Sequence, residues 1–189
     1  MSIRLQCRCG TLQGELEESG TYARATCYCR DCQAYARWLG APGLLDACGG
    51  TDIVAMAPSK LRFTAGQEQL ACVTLTGRTL RWYAACCRTP LGNTAAGPGV
   101  HYVGVPTACL APPEAVDAAV GPPSRAVAYA RSATCPVRAT PLALARAGAQ
   151  VGAGVLRARL RGLRASPFFD PASGRPVRPP MPPEPEIER

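Results

Sequence analysis

Histidine and lysine are nearly absent: the 189-residue chain has one of each, His101 and Lys60. A Ser-His-Asp apparatus therefore has a single candidate base, and that base sits among glycines and a proline. Hydrolysis by that route is not expected, and His101 is assigned no role. Long apolar runs are also missing. No stretch of 18 or more apolar residues occurs, so no spanning helix and no membrane partner are expected. The opening segment MSIRLQCRCG has no apolar h-region, so no secretory signal is expected and the cytoplasm is the expected compartment. Aromatic residues make up only 6% of the chain, which predicts a modest core that would gain from metal. Runs of basic residues are lacking too, although 20 of the 21 basic residues are arginine and the net charge is +8. Residues 1–110 carry 10 basic and 7 acidic residues, and residues 111–189 carry 11 and 6. We read this as an Arg and Ala bias of the whole chain ahead of a nucleic-acid surface.

Cysteine, by contrast, is abundant, with eleven in the chain. Where thiols stay reduced, such residues read first as metal ligands and second as small buried hydrophobes. The densest group is CYCRDC, with Cys27, Cys29 and Cys32 at C-x-C-x-x-C spacing. Three ligands from one short loop leave a tetrahedral ion one position short, the feature that separates a catalytic zinc site from a closed one. Upstream, Ile3, Leu5 and Cys7 alternate with Arg4, Gln6 and Arg8 at strand period, and Cys7 and Cys9 share a face beside a turn. Downstream, AACCRTPL holds the vicinal pair Cys86 and Cys87 in another turn. Cys48 is remote from these groups and reads as structural, and Cys72 reads as core.

Residues 20–26 predict a strand entering the central motif, and residues 33–39 a short helix closed by Gly40. From residue 52 the chain reads as β, in runs punctuated by Pro58, Gly66 and Gly77, with residues 93–104 as loop before a last short strand. Beyond residue 110 the composition changes. A short helix is expected between the proline pairs of PPEAVDAAVGPP. Thr140 and Pro141 are a plausible N-cap and N1 for a long helix whose stripe is Leu142, Leu144, Val151, Val155, Leu156, Leu160 and Leu163. The stripe is expected to pack on the β domain or on a second subunit. The Pro-rich end is expected to be an extended tail without a fixed fold.

The order CRCGTLQGEL, CYCRDCQ, KLRFTAG, LRWYAACCRTPLGN resembles that of the glutathione-dependent formaldehyde-activating enzymes, the family that includes centromere protein V. The likeness covers about residues 3–105. It implies a mainly β, β-tent (Mss4-like) zinc-binding domain at residues 1–110; the helical extension at 111–168 and the disordered tail at 169–189 are expected from the residue pattern, outside the likeness. It implies one or two Zn2+ per chain. One is structural, on Cys7, Cys9, Cys86 and Cys87; the other is catalytic, on Cys27, Cys29 and Cys32. The register departs from the family at its C-x-x-C-G-T element, where Ala84 and Arg88 stand at the usual first Cys and Gly and Cys86 is an extra thiol. The implied activity is that of a carbon–sulfur lyase acting on a thiol–aldehyde adduct, such as glutathione plus formaldehyde giving S-hydroxymethylglutathione. Arg30, Arg37, Arg81 and Arg88 are the candidates for binding the substrate's carboxylates. The alternative is a non-catalytic zinc module for a protein or nucleic-acid partner. Self-association is a further expectation.

Overall fold

The computed structural model describes residues 2–122 and 126–182. Its elements run β1 (Ser2–Gln6), β2 (Gln13–Glu17), β3 (Thr21–Cys27), α1 (Arg30–Leu39), β4 (Thr51–Met56), β5 (Leu61–Ala65), β6 (Leu70–Thr74), β7 (Thr79–Ala84), β8 (Thr89–Ala95), β9 (Val103–Pro106), β10 (Leu110–Ala111), α2 (Pro113–Val120), β11 (Val127–Ala128) and α3 (Pro141–Leu160). The fold is thus mainly β, with two sheets and three helices. The smaller sheet has the order β10-β1-β2-β5 and the larger β11-β3-β4-β9-β8-β7-β6. Among these strands every pairing is antiparallel except β11 on β3, and one isolated parallel bridge joins Val73 of β6 to Met181.

Alternation along the strands builds the core. In β1, Ile3 and Leu5 turn inward while Ser2 and Arg4 face solvent. They join Leu16, Val54, Met56, Leu91, Val103, Val105 and the fully buried Trp82 in one cluster. The Trp82 indole N–H donates to the Thr94 hydroxyl at 2.9 Å, which satisfies the one polar atom that this large ring brings inside. A buried ion network ties the sheet to the extension. The Arg24 guanidinium, 8% exposed, bonds Asp52 at 2.6 Å, Asp117 at 2.7 Å and the Gly121 carbonyl.

Two expectations for the C-terminal part need correction. α3 does form behind Thr140 and Pro141, but Leu142, Leu156 and Leu160 of the expected stripe face away from the β domain. Leu142 is 86% exposed and Leu160 80%, while Ala147 and Ala158 are the buried residues of the helix. The reason is a close approach: a Cβ at Gly154 would lie 2.4 Å from the Tyr22 ring, so only small side chains fit the seam. The second concerns the tail. Residues 169–182 do not run free. Phe168 and Phe169 are buried, with ring centroids 5.1 and 6.2 Å from that of Trp82. Arg178 donates to the Leu70 and Glu68 carbonyls, and the Met181 N–H donates to the Cys72 carbonyl at 3.0 Å. The rest of the expected tail, residues 183–189, lies outside the described residues. No helix among the described residues is long and apolar enough to cross a membrane.

Candidate metal centres

The first centre joins two hairpin turns. Cys7 and Cys9 lie in the turn between β1 and β2, and Cys86 and Cys87 in the turn between β7 and β8. Their four Sγ atoms all lie within 4.8 Å of one another. The separations are 3.5 Å for Cys7–Cys9, 3.9 Å for Cys7–Cys86, 3.3 Å for Cys9–Cys86 and 3.9 Å for Cys86–Cys87. A tetrahedral ion with metal–sulfur bonds of about 2.3 Å needs sulfurs about 3.8 Å apart, so the donor set fits. Cys86, the extra thiol, is therefore part of the cluster, while Ala84 is buried in β7. The tight turn allows this. Arg88 adopts φ 56°, the left-handed conformation that favours the glycine usual at this position in the resembled pattern. Arg88 is held there by donation to the Trp38 carbonyl at 3.2 Å and by its stacking over the Trp38 ring. Around the cluster the Arg8 N–H donates to the Thr89 hydroxyl and the Arg8 guanidinium to the Cys87 carbonyl. The Thr11 hydroxyl and amide bring the Cys9 thiol down to about 6.

The second centre sits where β3 meets α1. Cys27 ends the strand, Cys29 is the helix N-cap, and Cys32 lies in the first turn. Three sulfurs thus meet at the positive end of a helix, which favours negative charge. Cys27 and Cys32 are 3.9 Å apart, and all three Sγ atoms fall within 4.8 Å of one another. Hydrogen bonds from the Cys27 and Cys32 thiols and the Cys32 amide, with the charge of Arg81, hold Cys29 far below the ordinary thiol range. Hydrogen bonds with Cys29 and Cys32 push Cys27 up. With three donors instead of four, this cluster leaves a tetrahedral ion one position for a ligand from outside.

Of the four candidate arginines, the structure brings Arg81 to this centre. Its Nη1 lies 3.8 Å from the Cys32 Sγ and 3.4 Å from the Asn93 Oδ1, with the guanidinium over the Tyr35 ring, and the residue is only 5% exposed. Arg30 and Arg37 are exposed on α1, and Arg88 is engaged with Trp38. A cleft of about 340 Å3 opens beside Cys32, lined by Arg78, Arg81, Asn93 and Tyr102. Asn93 and Tyr102 lie in the stretch expected to be loop, but β8 extends to Ala95 and carries Asn93 to the site. The only sequence signal for Asn93 was its place four residues after Thr89 near the last cysteines.

Cys48 is not solitary. It is joined to Cys135, 87 residues later, with Cα atoms 5.1 Å apart. β11 runs parallel to β3 and carries the following segment to the residue 46–50 turn, where the Thr134 N–H donates to the Cys48 carbonyl at 2.9 Å. Next to it the Gln33 amide of α1 donates to the Ser132 carbonyl at 2.8 Å.

No curated protein matches the chain. Among solved structures, the crystal structure of a Rhodobacter sphaeroides protein, a structural-genomics target, is similar at 20% identity and a TM-score of 0.43. That alignment covers 60% of this chain and 94% of the other. Residues 1–178 match the model of a family of unknown function, DUF6151, and with nearly the whole chain inside that match, both cysteine centres and the extension included, the protein belongs to the DUF6151 family.

Proposed function

We propose that the protein is a zinc enzyme that joins a thiol to an aldehyde or reverses that step, with glutathione and formaldehyde as the model pair. The observation that carries this reading is the Arg81 guanidinium, buried at 3.8 Å from Cys32 beside an open cleft. Three thiolates leave a bound divalent ion net negative, and Arg81 offsets that charge on the wall of the cleft from which an anionic thiol substrate would enter. Bound to Cys27, Cys29 and Cys32, zinc would supply a Lewis acid that lowers the pKa of a substrate thiol. Arg81 offsets the negative charge that three thiolates and an incoming sulfur bring together. Asn93 holds Arg81 in place at 3.4 Å, and Tyr35 supports it from below. In the forward direction the sulfur–carbon bond forms, and the proton lost by the thiol ends on the former aldehyde oxygen. The Tyr102 phenol, kept protonated by burial that raises it to about 12, lines the same cleft and offers an O–H donor there. The first centre, with four donors, is a structural site in this reading, and the two clustered turns support a β-tent architecture of the Mss4-like kind. The resemblance to the formaldehyde-activating enzymes rests on the cysteine elements and their order.

The test is glutathione-dependent loss of free formaldehyde, with Cys32→Ser and Arg81→Met as the comparison proteins. Consumption by the parent at the rate of a protein-free blank, or equal rates in all three proteins, would sink the proposal. The second reading, a non-catalytic zinc module, is favoured by one observation: residues 118–169 carry eight arginines and no acidic residue. It predicts salt-dependent binding to a polyanion with no formaldehyde turnover.

A further inference from the structure

The seam between α3 and the β domain leaves a cleft of about 400 Å3 whose lining contains none of the clustered cysteines. It is walled by the one-turn helices Glu18–Gly20 and Pro58–Lys60, by His101 and by the C-terminal half of α3. All of its charged lining residues are cations: Lys60, Arg157 and Arg161. Lys60 is engaged by Glu17 at 2.6 Å. Arg157 and Arg161 are separated by one helical turn, so both guanidiniums rise from the same side of the helix over the cleft. Among the described residues, no acidic side chain forms an ion pair with either.

The cleft lining includes an oriented hydroxyl on the exposed Ser59. Ser59 Oγ lies 3.0 Å from Nε2 of His101, a ring only 3% exposed, and Nδ1 of that ring is buried with no partner among the described residues. An orphaned N–H is costlier than an orphaned acceptor, so the proton belongs on Nε2. His101 then donates to Ser59, and the Ser59 proton is free to point at a ligand. Beyond the cleft, residues 118–169 of the sequence carry eight arginines and no acidic residue, a local excess of positive charge that favours anionic ligands.

We propose that this cleft binds a phosphate monoester, with the dianion between Arg157 and Arg161 and accepting from the Ser59 hydroxyl. Two guanidinium forks match a dianion with three terminal oxygens, whereas a carboxylate would occupy only one. The volume is at the small end of ligand sites, and Ala57, Ala153 and Leu163 form the apolar wall that the organic part would meet. The same phosphate chemistry is found in soluble sugar or glycerol phosphates and in the headgroup of phosphatidic acid.

The experiment titrates the full chain with glycerol phosphate by calorimetry, and in parallel measures sedimentation with phosphatidylcholine vesicles with and without phosphatidic acid. Glycerol phosphate binding assigns the site to a soluble ester; binding only to vesicles containing phosphatidic acid assigns it to a lipid headgroup. In either case Arg157→Gln and Arg161→Gln should each weaken binding by about tenfold, and Ser59→Ala by less. All three positions avoid the core, and Arg164→Gln removes the same charge outside the cleft and should leave binding within about twofold. No binding in either arm, or an Arg164→Gln loss equal to that of Arg157→Gln, overturns the proposal.

Discussion

The two cysteine centres differ most in how much chain they close, and this difference sets their separate contributions to stability. The Cys7–Cys86 contact spans 79 residues and Cys27–Cys32 spans five. Treating each bound metal as a cross-link, the chain-entropy relation gives about 4.5 kcal/mol for the first closure and about 2 kcal/mol for the second. Replacing Cys86 and Cys87 together by serine detaches the β7–β8 turn from the β1–β2 turn. For a chain of this size, where 1 kcal/mol moves Tm by about 2–4 °C, the loss corresponds to about 9–18 °C. The Cys27→Ser, Cys29→Ser double variant should lose about 4–8 °C by the same reckoning. Each variant should also hold one metal fewer by native mass spectrometry, and thermal unfolding followed by circular dichroism gives the shifts. The reasoning is refuted if the Cys27/Cys29 variant is the less stable of the two, or if the Cys86/Cys87 variant keeps its full metal count and its Tm.

Other perturbations test particular geometries. Because Arg88 occupies a left-handed position, Arg88→Gly should be about 1 kcal/mol more stable than Arg88→Ala in chemical denaturation, since both lose the Trp38 contact and only glycine escapes the backbone penalty. Gly148→Ala, in open space on α3, should stabilise by about 1 kcal/mol. Gly154→Ala should instead destabilise by about 1–2 kcal/mol, because its Cβ meets the Tyr22 ring; equal effects at the two sites would contradict the seam as described. Burial lowers the pKa of His101, so the unfolded chain binds more protons just below pH 6.5 and stability falls as the pH drops from there toward the folded value. His101→Gln should flatten that part of the stability–pH curve, as followed by urea titration at several pH values.

Local chemistry was legible in the sequence, and long-range pairing was not. The alternation of Ile3, Leu5 and Cys7, the helix closed by Gly40 and the short helix between proline pairs all depend on neighbours a few residues apart, and each has its counterpart in β1, α1 and α2. The cysteine groupings were legible because close spacing along a turn nearly forces close spacing in space. The Cys48–Cys135 link, the Arg24 network and the docking of Phe168 join residues far apart in sequence and leave no periodic trace. For α3, hydrophobic periodicity alone predicts a buried leucine stripe. Here the seam is too narrow for leucine, and shape decided which face went inward. Residues 93–104 are expected as loop, and asparagine is a poor strand former. Pairing with Arg81 on one side and Gly104 on the other overrides that preference.

The extension touches the larger sheet at both of its ends. β11 adds to β3 at one end, and at the other the Met181 backbone exchanges hydrogen bonds with Cys72 and Thr74 of β6. An unpaired outer strand is a template on which other chains can add. Residues 126–182 thus act as a pair of guards on a sheet that would otherwise present two sticky rims. A chain cut at residue 110 would keep all seven clustered cysteines but expose both rims, and its characteristic failure would be polymerisation through β3 and β6 before any loss of metal.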